Sequence, residues 1–219
     1  MTEYALHIVL LFLLLAAGPA TAGAWLREEG TGFLSTSLLQ RQDGGTETSL
    51  YLEYGLRPRL TLGFKGDATL IAGQLNNGTI LVFARKPIPR AGVDYKLSFT
   101  LGLGADIDTQ TRGLLRTQLS YGRGLTWGER FGWLAIDAIV DWSLAGMSDT
   151  AKLDTTVGFT VNDRFKLMMQ VFVTHENETS LKVAPSLIWQ PDGHKQTYQI
   201  GLEAEGAKIA LRFGLWRDF

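Results

Sequence analysis

Residues 95–104 read YKLSFTLGLG, and this stretch decides the fold of the chain. Every odd position from Tyr95 to Leu103 carries an apolar side chain, and every even position carries a small or polar one. Successive side chains of a β-strand point to opposite faces, so this alternation predicts a long strand with one apolar and one polar face.

The same period of two recurs along the chain and predicts about twelve strands, with ten to fourteen possible. They begin roughly every 16 residues, near positions 32, 47, 60, 79, 95, 112, 133, 151, 165, 181, 197 and 208. The first strand (32–40) and the fourth (79–85) alternate poorly. Short segments rich in turn formers, at 56–59, 162–164, 190–193 and 205–206, fit antiparallel hairpins.

The length of these strands distinguishes between two kinds of barrel. Strands of soluble β-proteins are typically about 5 or 6 residues long. A tilted strand that crosses the hydrocarbon of a bilayer needs about 9 to 11 residues. The predicted strands have the longer length, so the sequence predicts an all-β fold, an antiparallel up-and-down transmembrane β-barrel.

An apolar run near the N-terminus predicts export. Residues 8–17 are all apolar, too few to span a bilayer as a helix, and Gly18 and Pro19 follow. Residues 20–22 (ATA) have the small-x-small pattern of a signal-peptide cleavage site, although the segment before the run has Glu3 and no lysine or arginine. We expect a signal peptide at 1–22 and a barrel domain at 23–219, with a mature chain that starts at Gly23 or, alternatively, at Ala24.

Composition excludes several functions. With 21 basic and 22 acidic residues, the chain has no large basic field for nucleic acid. It has no cysteine, which removes disulfides, thiolate metal sites and thiol nucleophiles. No phosphate-binding loop or metal-ligand cluster is seen, so no cofactor and no metal is expected. Two glycosylation-like patterns, at 77–79 and 177–179, are expected to be plain turns.

The polar face carries the candidate functional residues. In a membrane barrel the apolar face contacts lipid and the polar face lines the lumen. Acidic and basic groups on this face are nearly equal in number, which argues against a strongly ion-selective filter. The residues expected to line the middle third of the lumen are Lys96, Arg116, Asp137, Asp154, Lys166 and Glu203.

Aromatic residues recur on the apolar face at one end of the strands. With both termini on the periplasmic side, seven strands place a ring at the periplasmic edge, where amphipathic rings prefer the headgroup boundary. The predicted girdle consists of Tyr54, Tyr95, Tyr121, Phe165, Trp189, Tyr198 and Phe219. The outer edge is weaker, with Trp142 its clearest member.

The last strand alternates from Ile209 to Leu215 and ends in Phe219, and it resembles the last strand of the bacterial outer-membrane β-barrels. The resemblance implies a location in the outer membrane, contact with its lipid, and insertion by the barrel-insertion machinery through this strand. Arg217 departs from the pattern, since that position is usually apolar or aromatic.

The sequence leaves the function open between several classes. A narrow passive channel of the porin type for small solutes, or a structural barrel with a mixed-charge lumen, fits best. One alternative is an outer-membrane lipid hydrolase, because His175 stands near the outer rim where an outer-membrane phospholipase has its catalytic histidine. However, Asn177 occupies the position of that enzyme's serine, and Ser180 lies across the turn. The other alternative is a soluble secreted β-barrel or sandwich that binds a ligand.

Overall fold

The structure is a computed structural model that describes residues 23–90, 93–146 and 149–219. It is a closed barrel in which each strand pairs antiparallel with its neighbours in sequence. The last strand pairs with the first, from Phe33 opposite Asp218 to Arg41 opposite Ala210, and this pairing closes the sheet. The twelve strands are β1 (Gly32–Arg41), β2 (Thr46–Arg57), β3 (Leu60–Ile71), β4 (Gln74–Pro87), β5 (Tyr95–Ile107), β6 (Thr111–Trp127), β7 (Arg130–Ser143), β8 (Thr150–Thr160), β9 (Phe165–His175), β10 (Thr179–Trp189), β11 (Gln196–Glu205) and β12 (Lys208–Asp218).

The predicted strands are confirmed, and most begin within three residues of the expected positions. The exception is β4, which begins at Gln74 because the connection before it is a tight two-residue turn. Both turn residues, Ala72 and Gly73, have positive φ angles of 51° and 79°, as in the type I′ hairpin turns that match the twist of a β-sheet. The predicted turn at 77–79 is therefore wrong, since Asn77 lies inside β4 opposite Thr69.

The side chains at the alternating apolar positions of the strands face outward. Leu101 and Leu103 of β5 are 48% and 58% exposed, and Val82 of β4 is 59% exposed. A soluble barrel would pack these side chains inside, so the arrangement is that of a barrel whose outer surface contacts lipid. The described residues contain no helix long and apolar enough to cross a membrane.

The interior contains two small apolar clusters as well as polar groups. One consists of Leu81, Phe83 and Leu114 with Tyr51 packed against it. The other consists of Trp133, Met168 and Ile188, with Trp25 and Trp216 against it. These inward apolar residues explain the weak alternation of β4, where Leu81 and Phe83 face the lumen while Val82 faces outward.

The two ends of the barrel are named here for the chain termini. The proximal rim is the end where β1 begins and β12 ends, and the distal rim is the opposite end. Residues 23–31 precede β1 and form the N-terminal segment, which enters the lumen from the proximal rim.

Candidate functional site

The lumen contains a cavity of about 290 Å³. Its wall combines polar, charged and aromatic side chains that come from almost every strand. Gly23, at the beginning of the N-terminal segment, also contributes to it. The charged residues that line the cavity are Lys65, Arg85, Arg116, Asp137, Asp154 and Arg212.

The first group of charges, the Glu53 cluster, lies in the proximal half of the lumen. Glu53 is fully buried and forms ion pairs with Arg85 and Arg27. The Tyr51 hydroxyl donates a hydrogen bond of 2.6 Å to Glu53 Oε1, and Arg85 Nη2 donates one of 3.1 Å to the Tyr51 oxygen. Arg85 Nε also donates to Thr100 Oγ1 at 3.0 Å. One buried carboxylate therefore joins β2, β4 and the N-terminal segment, and Arg85 extends this network to β5.

The second group, the Asp141 cluster, lies in the distal half. Arg116 donates two hydrogen bonds to Asp141, from Nε to Oδ1 at 2.6 Å and from Nη2 to Oδ2 at 2.7 Å. Lys152 Nζ adds a third at 2.8 Å to Oδ2. The paired fork of an arginine on a carboxylate fixes geometry as well as charge, so this cluster ties β6, β7 and β8 together on the lumen side.

The third group, the Glu203 cluster, is also distal and lies across the barrel closure. Glu203 is 5% exposed and pairs with Arg212, with Lys182 at 3.5 Å and with Arg41 at 3.9 Å. Arg41 also pairs with Glu47. These ion pairs connect β10, β11 and β12 with β1 and β2. Most of the charge in the distal lumen is thus neutralised by cross-strand partners.

Large rings lie against glycines inside the barrel. A Cβ on Gly63 would lie 2.1 Å from the Phe83 ring, and one on Gly158 would lie 2.0 Å from the Trp133 indole. Glycine gives these rings space to lie flat against a neighbouring strand. Gly63 and Gly158 therefore make room for neighbouring side chains inside the barrel.

The N-terminal segment fills much of the proximal lumen. Ser98 Oγ donates a hydrogen bond of 2.9 Å to the Gly23 carbonyl, and Ala24 is buried. The Trp25 indole lies over Gly122 and packs against the second apolar cluster. The Arg27 amide donates to Thr61 Oγ1 at 3.0 Å. Contacts on several strands hold this segment inside the barrel.

The sequence-predicted lumen residues fall in three places. Arg116, Asp137 and Asp154 line the central cavity, and Glu203 is the centre of a distal cluster. Lys96 and Lys166 are the second residues of β5 and β9, close to the proximal rim.

Most of the predicted aromatic residues lie near strand ends on the proximal side; Tyr121 lies six residues before the end of β6, opposite Leu97 near the beginning of β5. The rings of Tyr95 and Tyr121 are 5.4 Å apart between centroids, as are those of Trp189 and Tyr198. Phe165 lies opposite Trp189 in the β9–β10 ladder. Tyr54 lies opposite Gly32, and Gly32 exchanges two backbone hydrogen bonds with Phe219.

His175 is the last residue of β9 and is exposed. Its Nδ1 lies 2.9 Å from Thr179 Oγ1, and Ser180 stands opposite Thr174 in the adjoining ladder. This contact bridges the two ends of the β9–β10 hairpin.

Sequence reasoning missed Arg27, Tyr51 and Arg85 as lumen residues. Arg85 lies on β4, whose alternation is masked by inward apolar residues, and Arg27 lies in a segment without periodicity. The signal available for Arg85 was a basic residue at the end of the predicted fourth strand (79–85). Nothing in the local pattern marked Arg27.

Comparison with known proteins supports the fold. No family model matches the chain, and no curated protein matches its sequence. Among solved structures, the KdgM porin matches with a TM-score of 0.67 at 10% identity, covering 85% of this chain and 99% of that chain. The NanC porin gives 0.59 at 11% identity, covering 84% and 98%.

A third solved structure, an outer membrane channel from Pseudomonas putida, gives a TM-score of 0.55 at 15% identity over 93% of this chain and 100% of that chain. LpxR from Salmonella typhimurium gives 0.57 at 7% identity, covering 84% and 99%. The chain therefore has the fold of the bacterial outer-membrane β-barrel proteins. Within that class its architecture is porin-like, a closed antiparallel barrel of twelve strands.

Proposed function

We propose that the protein is a narrow channel of the bacterial outer membrane that passes small polar solutes. The observation that supports this proposal most strongly is the charge-lined cavity inside a closed barrel with an apolar outer surface. A structural barrel whose side chains filled the lumen completely would leave no such cavity. The porin-like architecture of the solved structures that share the fold also supports it.

The charges of the lumen favour weak ion selectivity. Four basic side chains line the cavity, and each is paired with a carboxylate: Lys65 with Asp67, Arg85 with Glu53, Arg116 with Asp141, and Arg212 with Glu203. A polyanion would have to displace these carboxylates in order to bind the cations. One solved KdgM porin is in complex with oligogalacturonate. For the present chain we propose small solutes with little net charge.

The proximal half limits the size of the solute. The N-terminal segment and the Glu53 cluster occupy the lumen there, with Glu53 and Arg85 at most 2% exposed. Barrels of about 16 strands leave wide aqueous channels, whereas narrower ones are partly filled by side chains. We therefore propose a low conductance that the N-terminal segment restricts.

The partners follow from the surface of the barrel. The outward leucines, valines and aromatic residues are proposed to contact outer-membrane lipid, with the proximal rim and its aromatic girdle at the periplasmic side. The edges of β1 and β12 meet only when the barrel closes. Strand addition to such an open edge is the proposed contact with the insertion machinery, through the strand that ends in Phe219.

The proposed function is tested by conductance in planar bilayers. Residues 23–219 are refolded, and folding is established by heat-modifiable migration on gels. We expect small, reproducible steps with at most a weak preference for cations in a salt gradient, because Asp137 and Asp154 line the cavity without an ion pair among the described residues. A chain that begins at Gly30, which lacks most of the N-terminal segment, is expected to give larger steps. If neither chain conducts while both are folded, the channel proposal is wrong.

The charge of the pore is tested with a matched pair of variants. Lys65→Gln leaves Asp67 without its ion pair beside the cavity, so the reversal potential is expected to shift toward cation preference. Lys208→Gln removes the same charge at the beginning of β12, at the distal rim, and is expected to leave the reversal potential unchanged. Equal shifts in both variants would contradict conduction through this lumen.

A further inference from the structure

Two lumen carboxylates differ from the others in their surroundings. Asp137 on β7 and Asp154 on β8 stand directly opposite each other in the sheet, and both line the cavity. None of the ion pairs within 4.0 Å in the described part of the chain includes either of them. Like charges directly opposite each other destabilise a sheet. Among the described residues, these two acids therefore have no basic partner within 4.0 Å, whereas Glu53, Asp141 and Glu203 each have at least two.

The Oδ1 atom of Asp137 is buried and has no hydrogen-bond partner among the described residues. A buried acceptor without a partner is costly and calls for a donor. The nearest part of the N-terminal segment is Gly23. A Cβ on residue 23 would lie 2.1 Å from this Oδ1, and Gly23 has a φ of 72°, so only glycine fits here without strain. The backbone nitrogen of Gly23 is bonded to the same Cα, which places it within roughly 5 Å of Oδ1.

The predicted cleavage site stands at this same residue. The ATA pattern at 20–22 puts the scissile bond between Ala22 and Gly23. Hydrolysis by a signal peptidase adds the hydroxyl of water to the Ala22 carbonyl, which leaves as a carboxylate. The Gly23 nitrogen takes up the protons and becomes an α-ammonium group, which is mostly charged at neutral pH.

We infer that removal of the signal peptide creates the cation that pairs with Asp137, and that this α-ammonium anchors the N-terminal segment in the lumen. Before cleavage the Gly23 nitrogen is an uncharged amide bonded to Ala22. After cleavage it carries a positive charge and three donors beside the unpartnered oxygen. Cleavage of the signal peptide is thus coupled to binding of the N-terminal segment in the lumen.

The contacts of the N-terminal segment hold its first residue close to Asp137. Ser98 holds the Gly23 carbonyl, and the Trp25 ring packs over Gly122. Arg27, which lies four residues after Gly23, pairs with Glu53. Because residues 23–27 are tethered at both ends, the α-amino group stays close to the Asp137 carboxylate. The anchor needs no side chain at position 23.

The first test is chemical labelling of the α-amino group in the mature chain, 23–219. The chain is released from a cleavable fusion so that Gly23 is its first residue, and it is refolded into lipid vesicles. A water-soluble amine reagent is applied, and the peptide 23–27 released by trypsin is quantified by mass spectrometry. We expect labelling at least tenfold slower in the folded chain than in urea. Equal rates in the two states would overturn the inference.

The second test is a two-by-two comparison of heat-modifiability midpoints. A chain that begins at Ala22 has an uncharged amide at Gly23, and Asp137→Asn removes the carboxylate. Each change alone is expected to lower the midpoint by about 5 to 10 °C. The two together are expected to lower it no further than either alone, since they remove the same interaction. Additive effects would overturn the inference.

Asp154→Asn in the chain that begins at Gly23 is the control, because it removes a neighbouring lumen carboxylate without touching Gly23. It is expected to keep the slow labelling. Fast labelling in this variant would show that protection of the amine does not depend on Asp137 in particular, and would overturn the inference. None of these measurements uses conductance. A folded chain that does not conduct but protects its amine would refute the channel and leave the anchor intact.

Discussion

Glu53→Gln is expected to destabilise the barrel more than its isosteric shape suggests. Glu53 and Arg85 are 0% and 2% exposed, and Arg27 shares the same carboxylate. Glutamine retains the volume and one acceptor oxygen, but it removes the negative charge that compensates two guanidinium groups. Removal of one partner of a buried ion pair costs about 3 to 5 kcal/mol, because the other charge stays buried.

The assay is equilibrium unfolding by urea in lipid vesicles, followed by tryptophan fluorescence. The matched control is Asp67→Asn, which breaks the Lys65–Asp67 pair, where both side chains are about one-third exposed. An exposed pair of this kind contributes about 1 kcal/mol or less. We expect the free energy of unfolding to fall at least twice as far in Glu53→Gln as in the control.

A double-mutant cycle separates charge from packing. Arg85→Met removes the more deeply buried of the two guanidinium groups that would be left uncompensated, so Glu53→Gln in that background is expected to cost less than in the unaltered chain. If Glu53→Gln costs less than 1 kcal/mol, or if its cost is the same in both backgrounds, the Glu53 cluster does not stabilise the proximal lumen as argued.

Two further changes test the glycine contacts and the lipid-facing surface. Gly158→Ala is expected to cost about 1 to 3 kcal/mol by overpacking against Trp133, whereas Gly124→Ala, with open space at its Cβ, should cost little in the same unfolding assay. Leu101→Arg, in the middle of β5, is expected to cost about 2 to 4 kcal/mol in vesicles, and Leu97→Arg, near the proximal rim, about 0 to 1 kcal/mol. Equal costs at the two depths would argue against a bilayer around the barrel.

The strands were predictable because the environment of a membrane barrel imposes alternation on most of them. On β5 lipid requires an apolar residue at every second position, and the lumen side takes small or polar residues such as Ser98 and Thr100. On β4 the lumen side itself holds Leu81 and Phe83, so both faces are apolar and the pattern disappears. The beginning of β4 was missed for that reason and because Asn77 and Gly78 look like a turn.

For the candidate site, the sequence predicts which residues line the lumen but not which of them contact each other. Parity puts Arg116 and Asp141 on the lumen side, but their contact depends on the register between β6 and β7, which a single sequence does not encode locally. The N-terminal segment was missed for a different reason. Its residues from Gly23 to Arg27 have no period, and their positions depend on the strands that surround them.

A closed sheet of twelve strands leaves more space inside than its side chains fill, and this barrel fills that space in three ways. Cross-strand ion pairs occupy the distal half, rings packed on glycines occupy parts of the wall, and the N-terminal segment occupies the proximal half. The first two are fixed by the strands themselves. The segment is held by a few hydrogen bonds, one tryptophan ring and the Glu53 cluster. The width of the proposed channel is therefore set less by the number of strands than by how firmly this segment stays in place.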